Sequence, residues 1–522
     1  MTASCPGCGG LYPPYTLAAG RGVALPALPP ACMSRLPAIL FALAVLLTAA
    51  HCTLEEDFLT EPGTRIGLSA DTLSFDTVFT AVGSATRSFK IYNPHQRPLS
   101  LASVRVESDN GGRFRINVDG VSGTEVEDVF VPAEDSIYVF AEVTVDPDAP
   151  VSVSPFILEG RVVVTATTEE QSVLLVAYGQ NAVYLPESRA RGRLGLITCE
   201  LGEVIFADER PYVLYGSLLV DSCTMVLPAG TRLYVHGGLV QDTLAEDRPI
   251  FNDGRILFFD RGRLRVEGTA DEPVLIATDR LEERFVTRAG QWSGIYLLAG
   301  TGPHNINYAD IRNADFGLLV DSAAVLDVAN TRLRYTAREG IRARAAEVDA
   351  RNVLIHSTGG AAFAGIQGGD YRLDHCTVVN YAGRNPAIAL ANGLEVAEDD
   401  IRVGPLDARV RNSILYGANA DAIGLIDFER DAPLDYAFSN IVTRVDRLGD
   451  AYPNFRDDCL DCLYPAPEDP LFLNPQRDSF QLDSLSVAEK QAAPLPDVPV
   501  DIDGADRDAD APDIGAYERP DE

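Results

Sequence analysis

The side chains able to do chemistry in this sequence are mostly carboxylates, with 76 Asp and Glu against 43 Lys and Arg. A polysaccharide lyase needs a base beside a uronate, and a cation or metal that neutralises the uronate carboxylate. No lysine lies between residues 91 and 489, which leaves arginine for these roles. We interpret the arginines as a solvated face paired with acids, and strand alternation predicts that some of them share one outer sheet: Arg332, Arg334, Arg338, Arg342 and Arg344.

A glycoside hydrolase requires two carboxyl groups at a defined separation, and the acids here are too numerous for the sequence to nominate a pair. Asp374-His375, together with His356, offers one acid–base couple. His375 stands where an Asn recurs in the pattern described below, so we interpret it as a structural substitute. The sequence assigns no catalytic residue.

Two clusters have spacings that could hold a metal. Calcium is one interpretation of the acids near the C-terminus, but they lack EF-hand spacing, and we favour a charged, turn-forming cap without a cofactor: Asp501, Asp503, Asp506, Asp508 and Asp510. Cys459 and Cys462 form a single pair, whereas zinc needs four ligands. We expect a disulfide there, or partners drawn from Cys199, Cys223 and Cys376, with the connectivity left open.

The net charge of −33 over 522 residues restricts the partners. Nucleic acid binding needs a concentrated basic face, and docking on anionic membranes needs basic segments. We therefore predict no nucleic-acid partner. The hydrophobic share of 46% predicts a folded chain of several domains or one long repeat.

The N-terminus has the pattern of an export signal. Residues 1–32 are rich in Pro, Gly and Ala, and we predict that translation starts at Met33, which makes them a mis-annotated extension. Residues 33–51 then form a signal peptide, with a short positive start and an apolar run from Leu36 to Ala50. That run is too short to span a bilayer comfortably.

The end of the signal, Ala49-Ala50-His51-Cys52, resembles that of bacterial lipoproteins, which implies lipidation of Cys52. The acidic tether at residues 52–63 resembles the export signal of Bacteroidota lipoproteins destined for the surface of the outer membrane. The alternatives are ordinary cleavage near Ala50, a secreted or periplasmic protein, and a plain solvated tether.

Residues 64–185 read as seven short strands separated by turns, a pattern typical of an immunoglobulin-like β-sandwich. The alternation is clearest from Ile137 to Val145. The sequence around Ile91-Tyr92-Asn93-Pro94 and from Phe114 to Val118 resembles the choice-of-anchor D and abnormal-spindle-like domains of bacterial surface proteins. We predict a spacer, and no residue here argues for a ligand.

Residues 186–465 repeat with a period of about 22, the range of a solenoid. One pattern, apolar-x-apolar-x-Asn/Asp, marks positions that step by 20, 22, 23, 37 and 28 residues from Asp310 to Asn440. A second pattern of small residues, from Gly294 to Ala422, lengthens at the same insertion near Gly393. Short strands at this period predict a right-handed parallel β-helix, with Ile197 to Pro211 capping its open end.

The recurring asparagines have a physical reason. Asn tolerates the left-handed backbone of a sharp bend, and its amide can bond to the rungs above and below. We therefore interpret as a structural ladder Asn330, Asn352, Asn412 and Asn440.

Residues 466–522 end in Asp501-Ile502-Asp503-Gly504 and Asp513-Ile514-Gly515-Ala516, which resemble the closing motif of choice-of-anchor Q proteins. The mature chain thus resembles the pectin-lyase-like β-helix lipoproteins of Bacteroidota. The resemblance implies a surface location and a fold, but no activity, because this fold hosts enzymes and inert stalks alike.

We predict an all-β protein with a non-catalytic structural, adhesive or glycan-binding role in the cell envelope. Its expected partners are the outer-membrane lipid and a polysaccharide or cell-surface glycan. The alternative is a carbohydrate-active enzyme, either a polysaccharide lyase or a glycoside hydrolase.

Overall fold

The structure is a computed structural model. It describes residues 58–59, 64–79, 86–108, 113–144, 156–166, 169–185, 194–241, 250–382, 384–397, 400–428 and 432–520. Cys52, the signal sequence and most of the tether lie outside these residues. No helix in the described part is long and apolar enough to cross a membrane.

The first part of the described chain is a sandwich of two five-stranded sheets. Its strands are β1 (Gly67–Leu68), β2 (Thr72–Phe79), β3 (Arg87–Tyr92), β4 (Leu99–Glu107), β5 (Arg113–Val118), β6 (Val121–Gly123), β7 (Glu125–Val131), β8 (Ser136–Thr144), β9 (Phe156–Ala166) and β10 (Glu169–Gln180). One sheet has the order β1-β3-β8-β5-β6 and the other β2-β10-β9-β4-β7. Neighbouring strands are antiparallel, except that β2 and β10 are parallel; these are the first and last strands of the second sheet in chain order.

The second part is a parallel β-helix with three columns of stacked strands. The first column contains β12 (Leu194–Thr198), β15 (Ser217–Asp221), β20 (Arg255–Phe259), β23 (Gly294–Leu297), β26 (Leu318–Val320), the first halves of β29 (Ile341–Arg351) and β31 (Phe363–Asp374), β33 (Ile388–Ala391) and β38 (Ile423–Ile426). The second contains β13 (Glu203–Ile205), β16 (Thr224–Pro228), β21 (Arg263–Glu267), β24 (His304–Asn307), β27 (Val325–Ala329), the second halves of β29 and β31, β36 (Leu406–Arg411) and β39 (Leu434–Ser439). The third is a ten-stranded sheet of β11 (Val183–Leu185), β14 (Tyr212–Tyr215), β17 (Arg232–His236), β22 (Val274–Thr278), β25 (Ala309–Arg312), β28 (Arg332–Thr336), β30 (Leu354–Thr358), β32 (Thr377–Asn380), β37 (Ile414–Gly417) and β40 (Val442–Thr443).

Alternation within each strand builds the core of the solenoid. In β29, for example, Val348 and Ala350 are buried, while Glu347, Asp349 and Arg351 face outward. The strand pairs are in register, so inward apolar residues stack on one another from rung to rung. The predicted fold, a β-sandwich followed by a parallel β-helix, is confirmed.

Loops that leave the rungs form small additional elements. The insertion at residue 393 is an antiparallel hairpin of β34 (Gly393–Ala397) and β35 (Asp400–Val403). A second hairpin pairs β18 (Leu239–Gln241) with β19 (Ile250–Asn252). Three short helices, α1 (Glu283–Val286), α2 (Leu448–Ala451) and α3 (Phe455–Asp458), lie outside the columns.

The N-terminal end of the solenoid differs from the prediction. The segment from Ile197 to Pro211 contributes strands to the first rung instead of forming a separate cap. The solenoid also starts earlier than residue 186, because β11 already pairs with β14. A disulfide between Cys199 and Cys223 ties the first rung to the second, and Cys459 pairs with Cys462 near the last rung. Cys376 is free and buried.

Residues 466–520, here called the C-terminal belt, run along the side of the solenoid and do not close its end. The belt contains β41 (Phe472–Asn474), a 3-10 turn at Pro475–Arg477 and β42 (Ser479–Leu482). Its apolar side chains, including Phe480, Ile502 and Ile514, pack on outward-facing residues of the third column such as Val379 and Ile414. The later rungs of the third column, from β30 to β40, are therefore covered, whereas the second column faces outward with charged residues.

Candidate functional site

The predicted ladder asparagines lie at the bend between the second and third columns. Asn330, Asn352, Asn412 and Asn440 all have φ between 49° and 52°. The Asn330 amide donates to Asn307 Oδ1 at 2.8 Å, and the Asn352 amide donates to Asn330 Oδ1 at 2.9 Å. The belt runs along the same bend: the amides of Asn352, Asn412 and Asn440 donate to carbonyls at Val500, Ala493 and Gln491. Each of these amides thus makes at least one hydrogen bond within the fold.

Asp374, His375 and His356 do not form an acid–base couple. His375 is buried at the same bend with φ 50°, and its Nε2 accepts a hydrogen bond from the Asn412 amide at 2.8 Å. Burial lowers the pKa of His375 to about 2, so the ring stays neutral. The Asp374 carboxylate does not contact His375 and instead binds Arg411 in a bidentate ion pair, with N–O distances of 2.7 and 2.6 Å.

His356 lies on the third column, under the belt. Its Nδ1 is 3.3 Å from Asp478, which also accepts a hydrogen bond from the Tyr335 hydroxyl. Phe480 packs on the imidazole with ring centroids 4.7 Å apart. Burial lowers the pKa of His356, and the hydrogen bond from His356 lowers that of Asp478. This network fastens the belt to the solenoid and leaves no room for a substrate at the histidine.

Some of the five arginines share an outer sheet, as predicted, but they fall into two groups on different columns. Arg332 and Arg334 lie on the third column, paired with Asp503 of the belt and with Asp310. Arg342 and Arg344 lie on the first column, where Arg344 binds Asp321 at 2.5 Å. Arg338 lies in the turn between these columns, with its guanidinium over the Phe316 ring. The turn separates the two groups, so they cannot form one cationic subsite.

Two of the five acids of the C-terminal motif, Asp501 and Asp508, are bonded to backbone amides of the belt itself, whereas Asp503, Asp506 and Asp510 are exposed. Asp501 accepts hydrogen bonds from the backbone amides of Asp503, Ala505 and Glu518, and Asp508 accepts two more, from Asp510 and Ala511. Asp503 pairs with Arg332. Among the described residues there is no group of three or more His, Cys, Asp or Glu arranged to hold a metal ion.

An open concavity on the solenoid lies where the first column turns into the second, and we call it the corner groove. It encloses about 550 Å³. The bend residues Ala323, Ala345 and Gln367 have φ between 47° and 60°, and small residues make the floor shallow. The groove is lined by Ala323, Ala324, Val325, Ala345, Ala346, Glu347, Gln367, Gly369, Asp370, Gly404, Pro405, Leu406, Asp407 and Asp435.

A row of four acids borders the corner groove. Glu347, Asp370, Asp407 and Asp435 stand opposite one another on successive rungs of the second column. Parallel strands lie about 4.8 Å apart, so the row places one carboxylate per rung. Asp370 and Asp407 contact Arg372 and Arg409, whereas Glu347 and Asp435 form no ion pair within the described part of the chain.

The rest of the second column forms a lattice of paired charges, which we call the charged face: Asp327, Asp349, Arg351, Arg372, Asp374, Arg409 and Arg411. Arg351 binds Asp327 and lies 3.7 Å from Asp349. Burial raises the pKa of Asp349, and the neighbouring charges of Asp327 and Asp374 add to the rise. Asp349 is therefore the carboxyl group on this face best suited to hold a proton.

The acidic row has a signal in the sequence, which is a fixed distance from the bend residues. Each acid of the row lies five residues before a bend residue, as Asp407 lies before Asn412 and Asp435 before Asn440. Because both positions recur with the rung, that fixed offset places the acids in one column.

No family model matches the chain, and no curated protein matches it. Similar solved structures include the catalytic unit of a GH87 alpha-1,3-glucanase from Streptomyces thermodiastaticus, with 11% identity and a TM-score of 0.27 over 68% of this chain and 73% of that one. A GH87 alpha-1,3-glucanase catalytic domain in complex with tetrasaccharides has 10% identity and a TM-score of 0.18, covering 70% and 81%. A family 123 glycoside hydrolase from Clostridium perfringens matches with 9% identity and a TM-score of 0.17 over 23% of this chain, and the match spans only 30% of that structure. Similarity at this level carries no argument about activity.

Proposed function

We propose that this protein is a non-catalytic, glycan-binding component of the cell envelope, and that the corner groove holds one extended, uncharged polysaccharide chain. The observation that carries the proposal is the in-register acidic row beside a floor of small residues. Carboxylates are strong acceptors for sugar hydroxyls, and a shallow floor admits a flat sugar ring.

The spacing of the groove also suits a repeating ligand. Each rung advances by about 4.8 Å and offers one carboxylate, so a chain lying along the axis would meet equivalent acceptors repeatedly. The side chains of Glu347 and Asp435 have no competing ion pair among the described residues, so hydrogen bonding to hydroxyls would break no existing bridge.

The N-terminal signal supports a surface location for this binding function. We infer that lipidated Cys52 anchors the chain in the outer membrane and that the sandwich holds the solenoid away from the lipid. The acidic tether after Cys52 supports export to the outer face. Metabolic labelling with a fatty-acid analogue, compared between the native chain and Cys52→Ser, tests the anchor. Equal labelling of the two would contradict it.

Affinity electrophoresis in gels containing neutral polysaccharides tests the groove. Glu347→Gln combined with Asp370→Asn should weaken retardation about tenfold, because two charge-assisted acceptors are lost. The matched control is Asp271→Asn combined with Glu272→Gln, two exposed acids outside the groove that remove the same charge. The proposal fails if both double variants bind like the native protein, or if no neutral polysaccharide retards the chain.

A hydrolase remains the second candidate, because Asp349 combines partial burial, a raised pKa and acidic neighbours on adjacent rungs. A general acid needs those properties. Incubation with a polysaccharide panel, with and without calcium, separates the two candidates. New reducing ends that disappear in Asp349→Asn would establish the hydrolase, and ultraviolet-absorbing unsaturated products would indicate a lyase.

A further inference from the structure

The outward face of one sandwich sheet carries aromatic rings where alternation would normally place polar residues. Along β8, Val139 and Ala141 are buried, while Tyr138 and Phe140 are 47% and 40% exposed. Their rings are stacked, with centroids 5.7 Å apart and planes 18° apart. The two stacked, exposed rings form an apolar patch, here called the aromatic platform, and such patches commonly mark binding sites.

Two cations flank this platform. Lys90 is on β3, and its ammonium lies 4.6 Å from the centre of the Tyr138 ring. Exposed Arg115 is on β5, on the other side of β8, and stands opposite Glu142. Neither cation forms an ion pair in the described part of the chain. The arginines of the solenoid face are instead largely neutralised by acids, as with Arg409 and Asp407. The platform is thus a cationic surface on a protein of net charge −33.

A cleft of about 800 Å³ opens directly beside the platform. Its lining includes Arg115, Asn117, Ser122, Phe140 and Glu142. The Asn117 side chain is fixed, because its amide donates to Ser122 Oγ at 2.8 Å and its Oδ1 accepts from the Gly120 amide at 3.0 Å. Apolar rings beside a few fixed polar groups are the usual composition of a small-ligand or sugar site.

We propose that this face of the sandwich is a second glycan-binding site, selective for acidic polysaccharide, independent of the corner groove. The apolar C–H groups of the sugar rings pack on the exposed parts of Tyr138 and Phe140, and the uronate carboxylates pair with Lys90 and Arg115. Asn117 and Glu142 bond to hydroxyls at the mouth of the cleft. Charge complementarity selects this occupant, because an acidic chain would be repelled by most of the remaining surface.

The test measures binding of the purified full chain to polygalacturonate and, in parallel, to uncharged dextran. Tyr138→Ser with Phe140→Ser should weaken polygalacturonate binding about thirtyfold, as expected for losing an aromatic anchor. The matched control is Leu174→Ser with Tyr178→Ser, two residues with 42% and 43% exposure on the other sheet, which should bind like the native chain. Lys90→Gln, which leaves both rings in place, should weaken binding about fivefold and reduce its salt dependence.

The groove variants separate this proposal from the first one. Glu347→Gln with Asp370→Asn should leave polygalacturonate binding unchanged even where it abolishes binding of a neutral chain. The inference is overturned if polygalacturonate is not bound, if dextran competes with it equally, or if the aromatic double variant binds normally. It is also overturned if that variant converts a dimer to a monomer in sedimentation, because the platform would then be a contact between two copies.

Discussion

Arg507 is the most deeply buried charged residue that links the belt to the solenoid, and its removal should lower the free energy of unfolding by a large amount. The guanidinium lies 3.1 Å from Glu518, and the two side chains are only 3% and 8% exposed. It also donates to Asn352 Oδ1 at 2.8 Å and to the Gly515 carbonyl at 3.0 Å. One side chain therefore connects the ladder, the closing motif and a buried acid.

The expected loss of unfolding free energy follows from the buried carboxylate that Arg507→Ala leaves without a cation. Glu518 would stay buried without its cation, while still accepting the backbone amides of Asp508 and Asp513. Breaking a buried pair by removing one partner costs about 3–5 kcal/mol of unfolding free energy. An exposed pair contributes only about 0–1 kcal/mol. Arg519 and Glu489 form a more accessible pair on the same belt, with side chains 20% and 28% exposed, so Arg519→Ala is the matched control and should cost less than Arg507→Ala.

Urea unfolding followed by the fluorescence of Trp292, the only tryptophan, measures both variants. Limited proteolysis gives a second readout, because a detached belt should be cut first. The reasoning also predicts that Arg507→Met combined with Glu518→Gln is more stable than Arg507→Ala alone, since no isolated charge remains. Arg507→Ala costing no more than Arg519→Ala would refute the account, and so would a double variant as unstable as the single one.

Two further predictions concern the ladder and the disulfides. Because the pKa of His375 is depressed on folding, its contribution to stability is present above pH 6.5 and is lost as the pH falls below it. His304 and His356 also have lowered pKa values, so the loss of unfolding free energy between pH 7 and pH 5 should be about 2 kcal/mol larger in the native chain than in His375→Asn, with urea midpoints at the two pH values as the measurement. Cys199→Ser with Cys223→Ser should cost about 3 kcal/mol, because that bond closes a 24-residue loop, and the three-residue loop of Cys459 and Cys462 should contribute about half as much. Equal thermal shifts for the two cysteine double variants would contradict the loop-length argument.

The rungs could be predicted because each bend requires a residue type that a single sequence displays. Asn352 and Asn412 sit at left-handed positions, so the same amide recurs wherever the chain turns from the second column to the third. His375 replaces the asparagine in one rung but keeps the same geometry. Its φ is 50°, and its ring nitrogen accepts a hydrogen bond from the Asn412 side-chain amide. Local backbone chemistry thus determines the repeat.

The belt and the site could not be predicted in the same way, because they depend on contacts between distant segments. Arg507 reaches Asn352 across 155 positions, and no local pattern specifies that partner. The sequence predicted that some of the arginines after residue 330 share a sheet, but not which ones. Their grouping depends on the turn near Gly340, which sends Arg334 and Arg342 to different columns. The aromatic platform could not be predicted because aromatic residues in an alternating strand are expected to be buried, whereas Tyr138 and Phe140 occupy the outward positions of β8.

The distribution of the acids explains how one strongly acidic chain can present two surfaces of opposite character. Inside the belt, Asp501 and Glu518 are neutralised by backbone amides and Arg507, so they contribute little to the field outside. The acidic row of the corner groove keeps carboxylates open to solvent, which favours hydroxyl-rich neutral chains and repels uronates. The sandwich face reverses the sign with Lys90 and Arg115. A single molecule could therefore hold a neutral and an acidic polysaccharide at once, and the selectivity of each site follows from whether its charges have partners within the fold.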